Sequence, residues 1–297
     1  MQINHVADAR NLYEIAGDTR TGAGASGRSI TQKDRISRIL LAGEEGSPDN
    51  YQLFYGESEG GDGAKWTSPR HRHNFEQIRF TIEGDYSMTK EKVLPAGWVA
   101  YFPESIFYGP QVKNPNLKML VLQFGGPSGI GYHGAAQMRK GFDALVAKGG
   151  KFEAGMYTWD DEAGKRHNQD AFEATWEQIH GQKVVYPKPR YDSVILMNPA
   201  NFSWMADPAS QGVSRKLLGA FTEREIRIEF VHLDAAASVE LGTRNSAELL
   251  FLTQGVLVHE GKNYERNSAF ATSSGDRPET LTAVEPTELL YIKLPTF

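Results

Sequence analysis

The sequence predicts an all-β protein made of two similar units with a short helical linker between them. Three observations carry this. The 297 residues include 30 glycines, and short runs of alternating apolar and polar residues end repeatedly at turn residues, as half-buried strands do. The second half repeats the first in order: SRILLAG (37–43) resembles SRKLLGA (214–220), EQIRFTIEG (76–84) resembles AELLFLTQG (247–255), and MLVLQF resembles LLYIKL. Helical patterning is confined to the stretch between the copies.

Strands are expected at 51–57, 76–84, 98–102 and 117–124 in the first unit, and at 224–233, 247–255, 255–261 and 288–294 in the second. Between them, GGPSGIGYHG (125–134) reads as a loop. AAQMRKGFDALVAKGG reads as a helix with Met138, Phe142, Leu145 and Val146 on one face. NQDAFEATWEQIHG (168–181) reads as a second helix, with Asn168 as N-cap, Phe172, Trp176 and Ile179 as its apolar stripe, and Gly181 as its stop. TWDDEAG (158–164) reads as a solvated loop, and YPKPRY (186–191) as a proline-rich entry to the second unit. The expected division is 1–126, a linker 127–185, and 186–297.

Composition narrows the function. The chain is 40% hydrophobic and 23% charged, with a formal net charge of −5, and its cations are scattered, so no nucleic-acid partner is expected. There is no cysteine, which excludes disulfides, thiolate metal sites and cysteine nucleophiles. The first thirty residues, including GDTRTGAGASG, are polar and lack a signal-peptide core. No apolar run reaches membrane-spanning length. A cytoplasmic protein with a small-molecule substrate is the expectation.

The chemistry concentrates in SPRHRHNFEQIRFTIEGDYSM (68–88). Side chains alternate along a strand, so His71, His73, Gln77, Arg79 and Thr81 share one face, and Ile78, Phe80 and Ile82 share the other. Polar groups converging inside a barrel are costly unless something satisfies them. Two imidazoles plus an oxygen donor four residues on form a partial shell for a divalent metal. Arg79, just past them, is an anion anchor, or pairs structurally with Glu83 or Glu104. His133 and His167 lie in the linker, where solvation is the expectation. Trp66, Trp98 and Tyr101 form either an aromatic wall or ordinary core, and core is favoured.

These motifs resemble the cupin superfamily. HRH-NFE-Q-IRFTIE-G follows the spacing of the first cupin motif, with Gln77 in the glutamate place and Gly84 closing it. G-WVAYF-P-E-S-IF-Y follows the second, with Gly97, Pro103, Ser105 in the glycine place and Tyr108 in the histidine place. Because both halves take part, the chain resembles a bicupin of two double-stranded β-helix (jelly-roll) barrels. The resemblance implies one divalent transition metal (Fe, Mn, Ni, Co or Zn) on His71, His73, Gln77 and Tyr108. Tyr108 either ligates or acts as a hydrogen-bonding catalytic group beside an open position, with Arg79 binding the substrate. It also implies pairing into a homodimer through sheet edges. In the second unit the matching places hold Gly242, Arg244, Glu248, Asn267, Ser273, Gly275 and Pro278, with no histidine, so a metal-free, mainly structural barrel is expected there. The implied activity is a dioxygenase-type oxidoreductase on a small chelating or anionic substrate. Isomerase or lyase chemistry, and binding without chemistry, stay open; no helix-turn-helix supports a regulator.

Overall fold

A computed structural model describes residues 1–11, 35–58, 66–113, 116–153 and 155–297. The GDTRTGAGASG stretch and the Trp66 side chain lie outside the described residues. The all-β architecture is that of two jelly-roll barrels. Each is built from a large sheet and a four-stranded sheet.

The large sheet of the first barrel runs, in spatial order, Ile195–Met197, Val99–Phe102, Glu76–Glu83, Lys118–Phe124, Tyr51–Ser58 and Arg35–Ala42. That of the second runs Gln2–His5, Ser268–Thr272, Glu248–Gln254, Thr287–Lys293, Ile226–Leu233, Val213–Phe221 and Met205–Ala206. The repeated segments occupy equivalent places. Even the irregularity is repeated: SRILLAG carries a register shift between Ile39 and Leu41, and SRKLLGA one between Leu217 and Gly219.

The sheets depart from the expected boundaries at two strands. Gln2–His5, at the start of the first unit, pairs with Ser268–Thr272 of the second. Ile195–Met197, from the second, pairs with Val99–Phe102 of the first. Each half thus covers an edge of the other's sheet, which removes an exposed pairing edge from each.

Strand alternation sorts the side chains. Ile78, Phe80, Leu120 and Leu122 face Ile228, Phe230, Phe251 and Leu290 in one core between the two large sheets. Each such side chain contributes about 1.5–3 kcal/mol on burial. The opposite faces line the barrel interiors. Phe102, Met119 and Val121 lie in the first, and Val231, Leu250, Leu252 and Phe270 in the second.

The linker holds two helices, α1 (Ala135–Ala147) and α2 (Ala171–His180). It also holds a three-stranded sheet of Lys151–Glu153, Met156–Asp160 and Arg166–Asp170, which takes the first three residues of the loop expected at 158–164 into a strand and leaves the rest as the turn to the next strand. The N-cap of α2 is Asp170, whose carboxylate accepts from the backbone N–H of Phe172 and Glu173, while Asn168 lies in the preceding strand. Two potential caps stood two residues apart, and the hairpin decided between them. On α1, Met138 and Leu145 are buried, Phe142 stacks on Phe152, and Val146 is exposed. No helix among the described residues is long and apolar enough to cross a membrane.

Candidate active site in the first barrel

The site begins with backbone conformation. Gly84 and Gly255, which end the equivalent strands, both have positive φ. So do Gly97 and its counterpart Asn267, and Ser105 (φ 69°) and its counterpart Gly275 (φ 82°). The second motif therefore keeps its left-handed turns even where the residue type changes; asparagine tolerates this region and serine holds it against a steric penalty. The turn at Ser105 delivers Tyr108 to His71. Their backbones exchange two hydrogen bonds of 2.9 Å, and the Ser105 N–H donates to the His73 carbonyl at 2.7 Å.

His71 is buried, and its Nδ1 lies 2.6 Å from the Pro69 carbonyl. That oxygen can only accept, so Nδ1 carries a proton, and in the neutral ring this leaves Nε2 as the lone-pair nitrogen, the tautomer of a metal-ligating imidazole. The ring centroids of His71 and His73 are 5.0 Å apart, and those of His71 and Tyr108 are 4.6 Å apart. His73 is held by stacking on Phe75 at 4.3 Å and by the edge of Phe172 from α2 at 4.9 Å. The linker helix thus covers this side of the barrel mouth. A cleft of about 390 Å³ opens on the other side, beside Tyr108.

Gln77 and Arg79 point into the same interior. The Gln77 amide donates from Nε2 to the Tyr108 hydroxyl at 2.5 Å, and its Oε1 accepts from Arg79 Nη2 at 2.8 Å. Arg79 also donates to the Tyr86 hydroxyl, and its guanidinium lies 4.5 Å from the Phe102 ring centre. It is 6% exposed, and its Nε has no partner. The structural partners considered from sequence are taken elsewhere: Glu83 pairs with Lys118 and Glu104 with Arg190, each at 2.8 Å. Among the described residues no carboxylate lies within ion-pair distance of Arg79. A buried cation with only neutral partners is costly, and an incoming anion removes that cost.

Alternation did not reveal the rest of this network, because it depends on register and on the linker. Gln123 is opposite Gln77 in the sheet, and its amide reaches Gln77 Oε1 at 3.4 Å. The Tyr132 hydroxyl donates its one proton to Gln123 Oε1 at 2.9 Å and lies 3.2 Å from Gln52 Oε1. Burial pushes the Tyr132 phenol well above its ordinary value, so it remains a donor. The Gln52 oxygen also accepts the Ala135 N–H at the start of α1. A chain of amides thus connects the linker to Tyr108.

On the opposite face, Glu76 accepts from Tyr101 at 2.5 Å, and burial pushes its carboxyl up to about 8. Tyr101 belongs to the inter-barrel core and Trp98 packs at the first-barrel interior, so neither forms a wall of the His pair. The two linker histidines are paired and part-buried, against the expectation of solvation. His133 meets His180 at 2.8 Å, and His167 meets Asp161 at 2.7 Å.

The fit to a metal follows from these contacts. The two imidazoles and the Tyr108 oxygen suit a divalent transition metal. Gln77, expected as the fourth ligand, does not fit that part, since its oxygen is directed at a guanidinium and its nitrogen at Tyr108. Exchanging the amide's ends would set donor against donor at Arg79. Among the described residues no group of three His, Cys, Asp or Glu side chains is clustered for a metal.

No family model matches the chain, and no curated protein matches it in sequence. Solved structures do match in shape. A candidate dioxygenase from Nostoc punctiforme is similar with a TM-score of 0.61 at 9% identity, over 100% of this chain and 83% of that one. A variant of Bacillus subtilis oxalate decarboxylase is similar with a TM-score of 0.54 at 11% identity, over 100% and 78%. The bacterial pirin YhhW from Escherichia coli, in complex with nickel(II), gives 0.53 at 9% identity, over 100% and 99%. At such identities the likeness is one of fold: with the repeat and the reciprocal sheets, the chain has two jelly-roll barrels of the cupin fold in one polypeptide.

Proposed function

We propose that the first barrel is a metal-dependent active centre of the dioxygenase type, acting on a small anionic organic substrate. The observation that carries this is a buried guanidinium without a carboxylate partner, in the same interior as two converging imidazoles. His71, His73 and the Tyr108 oxygen would hold the divalent metal. When bound, that metal supplies Lewis acidity and, if redox-active, electrons for reaction with O2. The candidate dioxygenase and the nickel-bound pirin among the similar structures support the reading.

The chain's own residues do the rest. Arg79 anchors a substrate carboxylate or enolate through its planar donors. Gln77 fixes Arg79 on one side and Tyr108 on the other. Tyr108 holds or receives a proton at its oxygen. Phe75 and Phe172 exclude water above His73. Metal and guanidinium together make a strongly cationic interior, which is why the substrate class is anionic.

The test is to load the protein with Co(II), record its visible bands and add oxalate as a chelating anion. The bands should shift, and Arg79→Leu should lose the shift while keeping the cobalt. No shift in the wild-type protein contradicts the proposal. One observation favours a second reading, binding without chemistry: the Gln77 oxygen is committed to Arg79. That reading predicts Arg79-dependent oxalate binding with no cobalt uptake.

A further inference from the structure

The second barrel has no histidine at the equivalent places, yet its mouth is not bare. A cleft of about 350 Å³ opens there, lined by Arg215, Arg227 and Arg244 together with Glu229 and Asp207. Sheet register fixes its position. Arg227 is opposite Lys293, which is opposite Glu248. In the first barrel the same sequence of pairings links Gln52, Gln123 and Gln77. The cleft therefore lies at the end of the second barrel that corresponds to the Gln52–Gln77 end of the first. The barrel interior beyond it is filled, with Leu250 and Phe270 both fully buried, so an occupant stays at the mouth.

The charges do not balance. Both oxygens of the buried Glu229 are occupied, Oε1 by Arg215 Nη1 at 2.8 Å and Oε2 by Arg227 Nε at 3.2 Å. Asp207 accepts from Arg215 Nε at 2.8 Å. That leaves Arg244, in the place of His73. Its backbone N–H donates to Glu248 Oε2 at 3.0 Å, while its guanidinium has no carboxylate within ion-pair distance among the described residues. Three guanidiniums against two carboxylates give the cleft an excess positive charge. Its wall also exposes two large apolar side chains, Met205 at 67% and Leu217 at 44%. Exposed apolar groups beside convergent polar ones mark a ligand site more than a closing salt-bridge network.

We infer that the mouth of the second barrel binds a small organic carboxylate, its anionic end on Arg244 and Arg227 and its apolar body on Met205 and Leu217. Arginine suits a carboxylate because its planar donors match two oxygens at once. The apolar wall selects an organic anion over phosphate, which would leave Met205 and Leu217 wet. This site is independent of the metal centre proposed for the first barrel.

The experiment is a calorimetric titration with benzoate, which has both features. Wild-type protein should bind it. Arg244→Ala, at an exposed position, should weaken binding about tenfold or more, the loss expected for a charge-assisted hydrogen bond. The double variant His71→Ala/His73→Ala should keep the component of binding that Arg244→Ala loses. Met205→Asp, a second exposed change, should also weaken binding and serves if Arg244→Ala does not fold. Absence of wild-type binding, full affinity in both cleft variants, or loss confined to the histidine variant would each overturn the inference.

Discussion

Arg79 and Leu250 occupy equivalent positions on equivalent strands, and between them they show how two copies of one barrel diverge. Arg79 is opposite Ala100 and Val121, and Leu250 is opposite Phe270 and Tyr291. In the first barrel a small residue across the sheet leaves room for a guanidinium, with Tyr86 and Gln77 as its partners. In the second, Phe270 fills that room and leucines continue the layer at 250 and 252. Two residues earlier, Gln77 contrasts with Glu248, which accepts from Tyr291 at 2.5 Å. One interior is kept polar and poised; the other is packed shut, and its polar groups are displaced to the rim. Fold alone therefore does not decide function: a few inward positions do.

The comparison can be broken most violently by exchanging the pair. Leu250→Arg places a guanidinium in an interior that Phe270 already fills and that lacks an equivalent of Tyr86, while Glu248, in the place of Gln77, already accepts from Tyr291 and the Arg244 N–H; it should cost about 3 kcal/mol, the upper range for overpacking a core. Denaturant unfolding measures it, and a cost below about 1 kcal/mol would show that the two interiors do not differ as described. The reverse change, Arg79→Leu, should reduce oxalate binding by about thirtyfold or more, with little loss of stability, because it removes an uncompensated charge. A large fall in melting temperature would make Arg79 a structural group.

Gln77→Glu makes the first barrel resemble the second at one position. The carboxylate would face Arg79 and neutralise it, so oxalate binding should weaken about tenfold. Tighter cobalt binding without weaker oxalate binding would instead return Gln77 to the ligand set expected from sequence.

A last contrast concerns Glu76, where the second half has Ala247. Burial raises the Glu76 carboxyl from 4.5 to about 8. The folded state then holds a proton that the unfolded state releases, so stability is highest below the unfolded value and falls as pH rises from 4.5 to about 8. Thermal melts across this window should show that decline in the wild-type protein and a shallower one in Glu76→Gln. Equal slopes would mean that another group carries the pH dependence.

Much of this was legible in the sequence. Alternation in EQIRFTIEG put Gln77 and Arg79 on one face and Ile78 and Phe80 on the other, and the structure places them so. Equivalence of the halves could be read from the repeat, because a buried strand preserves its pattern. The exchange of Gln2–His5 and Ile195–Met197 could not, since edge pairing leaves no local periodicity. Gln52, Gln123 and Tyr132 were missed for a related reason: each is unremarkable in its own segment and meets the site only through register or the linker. The direction of the Gln77 amide was also hidden, because Arg79 competes for its oxygen, and that contest is decided in three dimensions.

The metal centre proposed above lies in one barrel and not in the other. Elemental analysis of the purified protein, with His71→Ala/His73→Ala as control, tests it most directly. About one equivalent of a transition metal per chain is expected, lost in the double variant while the fold persists. Full occupancy in that variant, or no uptake by the wild-type protein after reconstitution, would contradict it.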